Sequence, residues 1–291
     1  MNYNITIPQQ SVTFINLAGM ILISVIIIIG FILLMRYSAK LMPGFMGLLC
    51  YLLLVVVGTE LITFIIASVR PLASILLGQQ TAFCFTRAVI AAALSHATRL
   101  ILIKFTDRNQ DMQLGDALMG GLGIAIGEAI VVGTSLIYLS ALASTVNTYG
   151  LEALLADVSQ AEQAEMIEYV SGVASILPVT FLMQALNYAL DIVFQVAVLL
   201  LLYAVVKKGL PVFWHGIVVA VNIVFEALSL FASYSILDYN IVVITKLIIL
   251  IGIIGAALRV DADYLGGELR SFSKMRKQKD AMPKFGNVKK K

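Results

Sequence analysis

Residues 12–35 read VTFINLAGMILISVIIIIGFILLM, an apolar run without one charged side chain. A helix needs about 20 such residues to cross a hydrocarbon core of about 30 Å, so this run is read as a transmembrane span. Comparable runs follow at 44–68, 80–104, 114–144, 180–206, 211–234 and 239–259. The 291 residues are 60% hydrophobic and 13% charged, with a mean hydropathy of +0.96, which excludes a soluble core-plus-surface domain. No run shows the ~10-residue alternation of a membrane barrel. The expected fold is therefore all-α, a polytopic bundle of about seven transmembrane helices. One transmembrane domain is assigned to residues 1–265 and a basic tail to 266–291. The runs at 114–144 and 180–206 exceed a single crossing, so tilt, a bend or an interfacial segment is expected, above all near Pro178.

Loop charge orients the bundle, because Lys and Arg stay on the cytoplasmic side. Arg36 and Lys40 follow the first span, Lys104 and Arg108 the third, Lys207 and Lys208 the fifth. The alternate loops hold only Arg70 after the second span, and nothing basic between Thr145 and Pro178 or around Leu237. This alternation places the N-terminus outside and the C-terminus in the cytoplasm, with the chain in the plasma membrane. The tail fits, with nine Lys or Arg against Glu268 and Asp280 from residue 268 onward. Phe272 and Phe285 among its charges suit contact with anionic lipid, although topology alone accounts for the charge. The segment before residue 12 lacks Lys and Arg and the run after it is too long for a signal peptide, so a retained first span is expected. Nucleic acid is not an expected partner. Cys50 and Cys84 lie singly in apolar runs and indicate neither a disulfide framework nor a cysteine metal site.

In the long outer loop, Leu151, Leu154, Leu155, Val158, Ile167 and Val170 fall at helical spacing beside Glu152, Asp157, Glu162, Glu165 and Glu168. This predicts an amphipathic helix near 151–170. Its acidic face argues against anionic lipid and for capping the bundle or meeting a partner.

Ionisable groups inside spans are expensive and mark functional candidates. Glu60, Arg87, Glu128, Asp191, Glu226 and Lys246 all fall in the middle or outer half of the bilayer, four acids at one level with two bases. The plainer expectation is that Arg87 and Lys246 each pair with an acid and hold helices in register. Gln184, Asn187, Asp191 and Gln195 form one polar stripe, and His215, Asn222 and Glu226 another. Ser95, His96, Thr98 and Arg99 make a polar turn from which Arg99 is expected to snorkel to the cytoplasmic interface. His215, next to Trp214, reads as interfacial. Gly123 and Gly127 allow close helix approach.

The order of these pieces resembles the YhfC-type intramembrane metalloprotease family, distant relatives of the CAAX prenyl protease and bacteriocin-processing superfamily, over roughly Leu94 to Glu226. The family's Glu-Glu-x-x-Arg element matches a turn that here reads Ser95, His96, Ala97, Thr98, Arg99, so only the Arg is kept. Its Gly-Leu-Gly-His-Gly-x-x-Glu-Ala element looks like Gly121, Leu122, Gly123, Ile124, Ala125, Ile126, Gly127, Glu128, Ala129, with the His replaced by Ile124. A Glu and a His eight apart fall on Asn187 and Gln195, and a terminal His-x-x-x-Asp/Asn on Val218 and Asn222. The resemblance implies a cavity lined by Ser95, Arg99, Asn187, Asp191, Gln195 and Asn222. A zinc hydrolase needs electron-pair donors and a carboxylate to activate the bound water, which Ile124 and Val218 cannot supply.

The leading expectation is thus a non-catalytic, protease-like protein that binds a membrane segment, a peptide or a partner subunit, similar in kind to the gamma-secretase scaffold subunit of the Aph family. No cofactor is expected. An active peptidase with a rearranged site, using His96, Glu128 and Glu226 as metal or acid/base groups, is one alternative, and only under it is zinc expected. A small transporter moving a proton or cation on Glu60, Glu128, Asp191 and Glu226 is another. No phosphate-binding loop is present and no inverted repeat is visible.

Overall fold

A computed structural model describes residues 5–156 and 158–269. Eleven α-helices are present among them. These are α1 (Gln9–Tyr37), α2 (Leu41–Cys50), α3 (Val57–Ser68), α4 (Arg70–Leu76), α5 (Gln80–Gln110), α6 (Leu114–Tyr149), α7 (Leu151–Leu155), α8 (Gln160–Ser175), α9 (Pro178–Lys208), α10 (Trp214–Ser233) and α11 (Tyr239–Tyr264). A π-helical segment, Tyr51–Val56, joins α2 to α3 without a break. Seven helices are long and apolar enough to cross a membrane: α1, α2 to α3 as one, α5, α6, α9, α10 and α11. The protein is an all-α, multi-pass membrane bundle. No strand occurs among the described residues.

The apolar runs set the spans, and local chemistry sets their ends. Asp116 and Gln113 form a capping box at the start of α6, and the Asp238 carboxylate accepts the Asn240 amide (2.7 Å) at the start of α11. Of the tilt, bend or interfacial segment expected near Pro178, a bend within a helix does not occur there. Pro178 opens α9 in the first turn, where its missing N–H is no loss. Gly209 ends α9 in the left-handed region (φ 75°).

Helix α9 is the hub, packed against α1, α6, α10 and α11. Of its most apolar stretch, 67% is buried inside the protein, against 17% for α1. Helix α6 crosses α2 so closely that backbones touch. A Cβ on Gly123 would lie 1.9 Å from the Gly44 carbonyl oxygen, and one on Gly47 would lie 2.3 Å from that of Gly120. Only glycine permits this approach.

The basic loops gather at one end. Lys207 in the last turn of α9 pairs with Asp107 of α5, and lies 3.6 Å from Asp111. Lys40 after α1 faces Asp116 of α6, its backbone N–H donating to the carboxylate at 3.1 Å. Arg36 and Tyr37 both donate to the Leu269 carbonyl, at 2.6 and 3.0 Å, so the start of the tail is fastened to this basic end. The remainder of the expected tail, with Phe272 and Phe285, lies outside the described residues, as does Asp157.

At the far end a second apolar core forms from Ile7, Leu142, Val146, Leu151, Leu155, Val170 and Val173. The expected outer helix is broken in two, α7 and α8, with the Gln163 amide donating to the Leu155 and Val158 carbonyls across the break. Its apolar face turns onto α6, which at 36 residues is about 54 Å long and outreaches the hydrocarbon core. Asn147 of α6 clamps the chain ahead of α1, accepting from the Ile7 N–H and donating to its carbonyl, both at 2.9 Å.

Candidate functional site

A cleft of about 230 Å³ opens between the π segment, α3, α5, α6, α9 and α10. Its lip is the Glu60–Arg87 ion pair, with 62% of the Glu60 side chain exposed. Deeper in, Tyr51, Thr59, Tyr188 and Ser229 line the walls, and Glu128 and Glu226 complete the lining. Arg87 lies about 10 Å along α5 from its far end and Glu226 about 10 Å along α10 from its own, so the cleft occupies the half of the bundle away from the basic loops.

Behind Glu128 runs a chain of hydrogen bonds. The Gln195 amide nitrogen donates to Glu128 Oε2 at 2.9 Å, while its oxygen accepts from Arg99 Nη2. The same Nη2 donates to Asn222 Oδ1 at 3.3 Å, and Asn222 Nδ2 to the Ala92 carbonyl at 3.4 Å. Arg99 is wholly buried and does not snorkel, because this inward amide cradle offers its guanidinium two acceptors. Gly121 lets α6 approach the Gln195–Val196 backbone of α9, and Gly127 makes room for the Tyr51 ring. The glycine frame thus positions both Glu128 and its neighbours.

A second network lies beside the first. Lys246 Nζ, wholly buried on α11, binds Asp191 Oδ1 at 2.6 Å and donates to Ser229 Oγ. Ser229 donates to Asp191 Oδ2 and accepts from Asn187 Nδ2, each at 3.3 Å. Lys246 also sits 5.1 Å from the Phe225 ring, which stacks on Phe194 at 4.0 Å. Arg87 and Lys246, the two bases expected to pair with an acid, therefore do so.

Of the residues singled out from the sequence, Glu60, Arg87, Glu128 and Glu226 line the cleft themselves. Gln195, Arg99 and Asn222 stand behind Glu128, while Asn187 and Asp191 reach the cleft through Ser229. Ser95 is buried with no hydrogen-bond partner for its hydroxyl. His96 meets His215 instead, ring centroids 5.2 Å apart and edge to face, and neither Nδ1 has a partner. His215 makes this contact from the first turn of α10, beside Trp214. Sequence reasoning passed over Tyr51, Thr59, Tyr188 and Ser229, since single aromatic and hydroxyl residues are commonplace in apolar helices. For Ser229 a signal existed, its place one turn from Glu226 on α10.

The donor set does not suit zinc. Among the described residues no three His, Cys, Asp or Glu side chains converge as a metal centre requires, and Glu128 and Arg99 are tied together through Gln195. No family model, no curated protein and no solved structure matches the chain.

Proposed function

We propose that this integral membrane protein is a non-catalytic binding protein whose cleft receives part of a peptide or membrane segment. The observation that carries the reading is the Glu128–Gln195–Arg99–Asn222 chain, which engages the positions a protease-like frame would use for hydrolysis in fixed hydrogen bonds. Beside it remains a polar cleft with an accessible lip. With the basic end in the cytoplasm, as loop charge implies, the cleft lies in the outer half of the plasma membrane. The test is to purify the chain, determine bound metal by elemental analysis and incubate it with apolar helical peptides. Peptide binding without cleavage is expected, with substoichiometric zinc. Chelator-sensitive proteolysis would overturn the reading and favour a peptidase using His96, Glu128 and Glu226.

One observation favours a second reading. Polar groups continue from the cleft through Gln195 and Arg99 towards the His96–His215 pair, a course suited to a proton or cation. In sealed vesicles containing the protein, proton flux above that of empty vesicles, lost in Glu226→Gln, is the result this reading requires.

A further inference from the structure

The charges around the cleft do not balance. Glu128, Asp191 and Glu226 face two bases, Arg99 and Lys246, and the Glu60–Arg87 pair at the lip is neutral by itself. Neither base forms an ion pair with Glu226. Lys246 is held by Asp191 and Ser229, and Arg99 Nη2 by two neutral amides, while Arg99 Nε and Nη1 have no hydrogen-bond partner. Glu128 keeps one partner, the Gln195 amide. Glu226 lines the cleft and makes no hydrogen bond or ion pair with any described residue, a costly state for a carboxylate at membrane depth. A further, independent sign comes from Thr59. It lines the same cleft, is only 6% exposed, and its hydroxyl has no hydrogen-bond partner.

Size and wall chemistry narrow the occupant. A helix with its side chains is about 10–12 Å across, too wide for a cleft of about 230 Å³, which holds the end of one side chain. Tyr51 and Tyr188 line it, and aromatic faces attract cations, as the Phe225 ring does Lys246. A carboxylate lacking a partner, an acceptor hydroxyl and aromatic walls together match an ammonium or guanidinium head.

We infer that the group received by the cleft is cationic, an ammonium or guanidinium head bound by Glu226 with Glu128, Thr59 and the two tyrosines around it. The inference rests on the binding-cleft reading and names the chemistry of its ligand. The same head occurs on a basic side chain of a peptide and on a free amine.

The test uses the full chain in lipid nanodiscs at constant ionic strength. The probes are an apolar helical peptide with one central lysine, its twin with norleucine there, and n-butylammonium chloride against sodium chloride. The lysine peptide is expected to bind at least tenfold tighter than its twin, with the ratio falling to near one in Glu226→Gln. Comparison of the two peptides on the unaltered protein does not depend on how that variant folds. Equal binding of both peptides would overturn the cationic inference and leave the binding-cleft reading standing. A Tm rise with n-butylammonium alone, absent with sodium, would keep the inference, identify a free amine as the source and overturn the peptide reading. No response to any probe would overturn both.

Discussion

Lys246 and Arg99 are both wholly buried bases, yet lipid forces a different solution on each. Lys246 meets a carboxylate directly, whereas Arg99 meets amides and reaches the Glu128 carboxylate only through Gln195. Removing one member of a buried ion pair leaves the other uncompensated, a loss of about 3–5 kcal/mol. Lys246→Met is thus expected to lower the Tm of the purified protein sharply, and Lys246→Met with Asp191→Asn to recover most of the loss. Equal Tm in the single and double variants would count against the pairing as the source of the effect. Much of this set was legible in the sequence, because Asn187, Asp191 and Gln195 repeat every fourth residue and so share a helix face. Lys246 was expected to pair with an acid, but which partner each residue meets was not legible. Ser229, Asn222 and Lys246 come from other helices, and helical periodicity says nothing about which faces meet.

At the scale of elements, the crossing of α2 and α6 is fixed by contact of backbone with backbone. Neither carbonyl at Gly44 nor at Gly120 can give way as a flexible side chain would. Gly123→Ala is therefore expected to destabilise by at least the about 1–3 kcal/mol typical of overpacking, read as a lower Tm or lost monodisperse protein. Gly133→Ala on the same helix, with nothing within 4 Å of the added Cβ, serves as the control and is expected to be neutral. The glycines were visible as a spacing, and the structure turns that spacing into a packing device. The span boundaries were legible to within a few residues because hydrophobic length is a direct requirement of the bilayer. The π segment was not, since Tyr51–Val56 reads as any apolar stretch. Nor was the split between α7 and α8, where the amphipathic pattern runs on past the break.

For the whole molecule, the alternation of loop charge foretold that the loops after α1, α5 and α9 would share one end, and the Lys40–Asp116 and Lys207–Asp107 contacts join them there. Single cysteines placed at Ser38 or Gly209, with Cys50 and Cys84 replaced by Ser, are expected to react with an impermeant thiol reagent only from the cytoplasmic side. Cysteines at Glu152 or Ser235 are expected to react only from the opposite side, and labelling of all four from one side would refute the orientation. Chain order adds a consequence for synthesis. Arg87 enters lipid just after Glu60, its partner on the preceding span, so these two charges can leave the insertion machinery already paired. Arg99 has no such companion at that moment, because Gln195 and Asn222 have yet to be made. The third span, with the lowest hydropathy of the seven at 1.5, must therefore be sheltered until α9 and α10 arrive, whereas α1 at 3.1 can wait in the bilayer alone.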